Sequence, residues 1–342
     1  MKRLIVCCDG TWNRPDRSNA TNVIRMTRLI SPTAPDGTVQ TVFYDQGIGT
    51  GNIVDRLTGG AFGTGLDENI QDGYRFLSHN YDDGDEIFVF GFSRGAYTAR
   101  SLAGLIRKCG LMLKRHSDRV AEGYALYRKR DASADEPESV NFRASYSREV
   151  DIKFVGVWDT VGALGVPLRR LKWLTRDRYK FHDTQLSGSV KFAYHALAID
   201  ERRGSFEPTL WTGVPKPGQI VEQQWFAGVH SDVGGGYRER GLANITLDWM
   251  MRKARSCGLE FDEEFAAEDV KPDPHDAIHE TFTSFYRLAR PFQRPIAAAH
   301  DSAESVHPSA LQRMEDADLG YRPLNVAAYL ARPGRAGTTN GP

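Results

Sequence analysis

The sequence predicts an α/β fold: a mostly parallel sheet with helices on both faces and a helical region in its inserts and C-terminal part. Three observations carry that expectation. Short, wholly apolar runs ended by turn residues read as buried strands. Amphipathic stretches of helical period lie between them. Strand and helix alternate along the chain, which favours parallel pairing through crossover helices. The expected strands are Arg3–Cys8, Val39–Tyr44, Glu86–Phe92, Ile152–Trp158 and Val221–Val229. The expected helices are Asn22–Ile30, Leu66–Asn80, Arg94–Cys109, Ser187–Ala198, Leu242–Ser256 and Ala277–Arg290. Thr50–Thr64 is a glycine-rich connection, and Lys129–Ser139 reads as a solvated loop. We expect one α/β unit over 1–290, with insertions near 110–150 and 165–185. An extension over 291–332 is expected to pack on it, before a disordered Gly-, Thr- and Pro-rich tail at 333–342.

The 342 residues carry zero formal net charge, with 40% hydrophobic and 26% charged residues. That is ordinary globular composition, and the neutral balance argues against general nucleic-acid binding, which needs a surplus of Lys and Arg. The four cysteines, Cys7, Cys8, Cys109 and Cys257, show no CxxC spacing. No zinc site or other cofactor is expected, and buried thiols in a reducing compartment are the simplest account. The basic-apolar start is too short for a signal peptide, since Asp9 ends it. No run of about 18 apolar residues suggests a membrane span. The expected location is therefore cytoplasmic; secretion that reads no N-terminal signal lies outside this test. Oligomeric state is not legible.

In an open parallel sheet, sites form beyond the carboxyl ends of the strands. The polar residues closing the expected strands are Asp9, Ser93, Asp159 and His230. Ser93 lies in Gly91-Phe92-Ser93-Arg94-Gly95, between a strand and a helix. This is the setting of a nucleophile elbow, where a sharp turn thrusts a serine hydroxyl outward and small flanking residues avoid collision with strand and helix. The α/β-hydrolase order of nucleophile, acid and base then points to Asp159 and His230. Asp200 is an alternative acid, His195 a helix-borne support for the loops, and Asp232 a cap or neighbour of His230. The oxyanion donors expected are the Arg94 N–H and that of Thr11 or Trp12, with Asp9 positioning the loop. "CCDGTWN" also suggests the D-x-D-G-T loop of haloacid-dehalogenase-like phosphatases, but Cys7 stands where their nucleophilic aspartate would be.

Together, "LIVCCDGTWN", "VFGFSRGAYTAR", "FVGVWDTVGALG", "HALAIDERR" and "FAGVHSDVGGGY" resemble an α/β-hydrolase domain family long catalogued as of unknown function. That family includes phospholipase effectors of the bacterial type VI secretion system. The resemblance spans Leu4 to about Tyr237. It implies a bacterial effector-like serine esterase acting on lipid esters, with Ser93 as nucleophile, Asp159 as acid and His230 as base. The expected partner is a lipid or small ester. The cationic-aromatic stretch Pro167–Thr184 is a candidate for transient membrane-surface contact or for a solvated insertion. A catalytically silent hydrolase fold serving as a binding module is the alternative from another class.

Overall fold

The computed structural model describes residues 1–10, 19–47, 60–129, 133–162, 185–283, 286, 290–297 and 303–332. The expectations for Thr11, Trp12, the Pro167–Thr184 stretch, most of the glycine-rich connection and the tail lie outside the described residues.

A seven-stranded sheet organises the molecule, all its pairings parallel, in the order β2-β1-β3-β6-β7-β8-β9. Its strands are β1 (Lys2–Cys8), β2 (Val39–Asp45), β3 (Glu86–Phe92), β6 (Ile152–Trp158), β7 (Val190–Ala198), β8 (Ile220–Phe226) and β9 (Glu304–Val306). Two-residue strands β4 (Leu111–Met112) and β5 (Ser147–Arg148) form a separate antiparallel pair. The helices are α1 (Asn22–Leu29), α2 (Gly60–Asn80), α3 (Arg94–Cys109), α4 (Val120–Arg128), α5 (Pro137–Tyr146), α6 (His230–Gly234), α7 (Gly241–Ser256), α8 (Glu263–Asp269), α9 (Pro308–Glu315) and α10 (Leu324–Leu330).

Strand alternation sorts the core. Leu4, Val6 and Cys8 of β1 pack with Ile70 and Tyr74 of α2 and Leu102 of α3. Ile5 and Cys7 face the other way, with Met26 of α1 and Met250 of α7. The adjacent cysteines thus serve opposite faces, and all four cysteines are buried free thiols. A third cluster joins Trp225 of β8 to Val306, Ala310, Val326 and Tyr329 of the C-terminal part. No described helix is long and apolar enough to cross a membrane.

Three expectations are corrected. Ser187–Ala198 was expected as a helix, but Val190–Ala198 is strand β7. It is a central strand between β6 and β8 whose residues enter the core clusters on both faces, Val190 and Ala193 in one and Tyr194, Ala196 and Ala198 in the other, so apolar residues fall at nearly every position. The described residues of 277–290 form no α-helix. Tertiary partners claim their polar groups: the His279 N–H donates to Asp232 at 3.1 Å, and the Thr281 hydroxyl to Glu201 at 3.3 Å. Finally, Lys129–Ser139 is not all solvated loop. Pro137 opens α5, and Ser139 is buried with its hydroxyl on the Ser133 carbonyl at 2.8 Å.

β1 and β3 are neighbours, and the chain leaves β1 for β2 on one side before returning to β3 on the other. Their carboxyl ends therefore flank the crevice where strand order reverses, and Ser93 follows β3 there.

Candidate active site

Ser93 joins β3 to α3 with φ 59° and ψ −120°. A non-glycine residue held there costs about 1–3 kcal/mol. Part of the support is its backbone N–H, which donates to the Trp158 carbonyl at 3.0 Å. The flanking glycines are dictated by space. A Cβ on Gly95 would lie 2.1 Å from the Cys8 carbonyl oxygen at the end of β1, and one on Gly91 would lie 2.5 Å from the Gly95 carbonyl oxygen. These are backbone atoms that cannot step aside, so only glycine lets helix and strand approach this closely. The start of the 16-residue α3 lies at Ser93, where its dipole favours negative charge.

Asp159 follows β6 and also holds positive φ, 38°. His230 opens α6, four residues beyond β8, after a turn at Gly228 with φ 112°. Three elements far apart in sequence thus converge. His230 Nε2 is 2.8 Å from Ser93 Oγ, and His230 Nδ1 is 2.5 Å from Asp159 Oδ2. All three are buried: Ser93 is 7% exposed, His230 5% and Asp159 0%. The imidazole is also bounded by the rings of Phe92 and Phe206, with centroids at 4.6 and 4.9 Å. Gly234 is needed beside it, because a Cβ there would meet the Phe92 ring at 2.0 Å.

Burial opposes ionisation of Asp159, but the Arg294 guanidinium and the His230 hydrogen bond outweigh it and hold its pKa well below the usual carboxylate range. Burial pushes the His230 pKa down, against the pull of Asp159. A neutral imidazole between a carboxylate and a hydroxyl follows. Its Nδ1–H donates to Asp159, and its Nε2 is left to accept from Ser93.

The other residues singled out in the sequence lie apart from this relay. His195 is on β7, not on a helix; its Nε2 accepts the Thr160 N–H at 3.1 Å, and its Nδ1 faces Gln223 Oε1 at 3.3 Å. It braces the turn that carries Asp159. Asp200 Oδ2 accepts the Gly228 N–H at 2.7 Å and the Tyr321 hydroxyl at 2.8 Å. It therefore supports the turn before His230, while the carboxylate against His230 is that of Asp159. Asp232 accepts the Val229 N–H at 3.0 Å in the first turn of α6 and pairs with His279 Nδ1 at 2.6 Å. Asp9 accepts from Gly10 N–H at 2.6 Å and from the hydroxyls of Thr21 and Tyr44 at 2.7 and 3.0 Å, in keeping with a turn-setting role. Arg94 follows Ser93 as the first residue of α3. Among the described residues, no group of three or more His, Cys, Asp or Glu could hold a metal ion.

Sequence reasoning missed Arg294 and Glu201. Arg294 is fully buried and donates to both oxygens of Asp159. Glu201 Oε2 accepts the His230 N–H at 3.4 Å and binds the guanidinium of Arg203, whose carbon lies 3.6 Å from the Phe206 ring centre. "DERR" hinted at Glu201 by its place after β7. Nothing local marked Arg294, which lies 135 positions from its partner.

The molecule is thus an α/β protein in which Ser93, His230 and Asp159 meet beyond the carboxyl ends of the parallel strands. Residues 2–253 match the family described as "T6SS, Phospholipase effector Tle1-like, catalytic domain", and the chain belongs to that family. It is also similar to an uncharacterized protein of Saccharomyces cerevisiae, 32% identical over 237 residues, covering 63% of this chain and 33% of the relative. Among solved structures, an uncharacterized protein from Pseudomonas aeruginosa has a TM-score of 0.48 at 18% identity, over 80% of this chain and 49% of the other. The Tle1 effector bound to the VgrG spike from the Type 6 secretion system has a TM-score of 0.41 at 19% identity, over 69% and 51%. The matches thus span about one third of the yeast relative and about half of each solved chain.

Proposed function

We propose that this chain is a serine hydrolase that cleaves carboxylic esters of lipids, phospholipid acyl esters foremost. Ser93 attacks the ester carbonyl through Oγ while its proton passes to His230 Nε2. Asp159 stabilises the resulting imidazolium. The oxyanion receives the Arg94 backbone N–H and the field of α3. Collapse of the tetrahedral intermediate breaks the C–O bond to the alcohol, and His230 returns its proton to that leaving oxygen. Water, deprotonated by His230, then attacks the acyl-enzyme, releasing the carboxylic acid and restoring Ser93. The observation that carries this reading is the unbroken contact from Ser93 Oγ through the imidazole to Asp159, at 2.8 and 2.5 Å.

Family membership supports the choice of a lipid ester. Phosphoryl transfer is disfavoured because the position two before Asp9 is Cys7, a fully buried thiol whose pKa burial raises far out of reach. A silent binding module would have no need of a serine held at positive φ against a histidine. We read 1–290 as the hydrolase unit and 291–332 as an extension packed on it. The packing of the later segment is supported by β9, which pairs with β8 at the sheet edge, and by Arg294, which reaches Asp159.

The test is incubation of the purified protein with a mixed phospholipid extract and with short-chain esters, Ser93→Ala as control, and mass spectrometry of the products. Free fatty acids and lysophospholipids that require Ser93 are expected. Products cleaved at the phosphate, or no Ser93-dependent product, contradict the reading.

A further inference from the structure

We propose that Arg294 is a positioning residue for this reaction: its guanidinium fork holds the Asp159 carboxylate in the plane and ionised form that the His230 imidazole requires. The inference rests on the relay of Ser93, His230 and Asp159 proposed above.

A carboxylate at the end of a strand can rotate about its terminal torsion, which is broad and weakly staggered. Here three elements fix it. The Ala198 N–H, at the end of β7, donates to Oδ1 at 3.0 Å. His230 of α6 faces Oδ2. Arg294 donates to Oδ1 from one terminal nitrogen at 2.6 Å and to Oδ2 from the other at 3.0 Å. Such two-pronged pairing sets orientation as well as charge, which a lysine ammonium does not. The same two nitrogens reach further, to the Ala198 carbonyl at 2.9 Å and the Phe206 carbonyl at 2.5 Å. Phe206 in turn presents its ring edge-on to the imidazole. One guanidinium thus ties together the carboxylate, the end of β7 and the turn that packs against His230. Its own backbone is anchored, since Asn325 donates to the Arg294 carbonyl at 3.2 Å and to the Ile199 carbonyl at 3.1 Å. The residue lies beyond the family-matched stretch of 2–253, so the C-terminal segment completes a site whose three reacting side chains all lie within that stretch.

Charge makes the role specific. Asp159 is wholly enclosed, and a lone buried carboxylate beside an imidazole would draw a proton to one or the other. Among the described residues, the other ionisable groups around the pair include His195 on β7, with the Arg100 charge acting on it, Glu201 and Arg203 after β7, and the Asp232–His279 pair at α6. Glu201 and Arg203 bind one another, Asp232 binds His279, and His195 is held between neutral partners. Arg294 is the cation placed on the carboxylate itself. Removing it favours imidazolium, so the base is lost to protonation at a higher pH.

The experiment uses the whole chain and p-nitrophenyl butyrate, with kcat and KM followed from about pH 5 to about pH 9. For Arg294→Met, kcat/KM is expected to fall ~30-fold or more, with KM changed less than about twofold. The acid limb is expected to rise by about one pH unit. In an Asp159→Asn background the same substitution is expected to cost less than about twofold. A folded Arg294→Met protein with wild-type kcat/KM and an unmoved acid limb overturns the proposal, as does an undiminished cost in the Asp159→Asn background. If near-ultraviolet circular dichroism shows that the Met variant does not fold, Arg294→Lys decides. A loss of about fivefold or more supports the fork, and a loss under about twofold refutes it. Wild-type hydrolysis abolished by Ser93→Ala shows that the relay stands whatever Arg294 does. Without Ser93-dependent hydrolysis, the relay itself fails and this inference with it.

Discussion

Two buried histidines meet the Asp159–Thr160 turn, and only one of them faces both a carboxylate and a hydroxyl. His195, in the interior of the sheet, meets the Thr160 N–H and the Gln223 amide, both neutral. Burial, and next the Arg100 charge, push its pKa down to about 3. Protonating it would break its acceptor bond, so it is a fixed strut. His230, at the rim, meets a carboxylate on one nitrogen and a hydroxyl on the other. Burial lowers its pKa too, but Asp159 pulls the other way. In the mechanism proposed above, it is the carboxylate on one side and the hydroxyl on the other, not burial, that would set the base apart from the strut.

The largest effect that sharpens this contrast is loss of Ser93 or His230. Ser93→Ala and His230→Ala are each expected to lower kcat at least ~10³-fold with the folded signal intact, as read by ester hydrolysis and circular dichroism. Next comes the elbow. Gly95→Ala puts a methyl into the Cys8 carbonyl and is expected to cost more than about 3 kcal/mol in urea unfolding. His195→Leu should then separate the two histidines. It leaves the Thr160 N–H without its acceptor and is expected to cost ~1–3 kcal/mol of stability, while the acid limb of the pH–rate profile stays put. That limb belongs to His230; because its pKa lies below the ordinary 6.5, activity is expected to rise with pH through a midpoint under 6.5 and level off above it.

The smallest effect concerns Asp200. Burial pushes its pKa up to about 6 from 3.8. The native state then binds more protons than the unfolded one between those values, so this group favours folding as pH falls through that window and opposes it at pH 7. Both of its bonds fall on one oxygen, which an asparagine amide oxygen can replace. Asp200→Asn is therefore expected to add about 1 kcal/mol at pH 7 and to flatten the slope of stability between about pH 4 and about pH 6, measured by urea titration at several pH values.

The same two histidines show where sequence reading holds and where it gives out. The Ser93 elbow was legible because its logic is local: apolar strand, tight glycine-flanked turn, helix. Asp159 was legible for the same reason, as the first polar residue after an apolar run. His195 was misplaced because Val190, Ala193, Tyr194 and Leu197 fall at helical spacing, yet a central parallel strand is apolar on both faces and any period can be read into it. The helix expected over 277–290 failed because Asp232 and Glu201, distant in sequence, take its polar groups. Arg294 was out of reach altogether. A buried ion pair across 135 positions leaves no mark on the residues next to either partner.

The most direct test of the central claim is covalent. Purified protein is treated with a fluorophosphonate probe, and the adduct is located by intact mass and peptide mapping. The account predicts one adduct, on Ser93, absent from Ser93→Ala and slowed at least ~10³-fold in His230→Ala. Folded wild-type protein that takes up no probe, or takes it up at another residue, contradicts it.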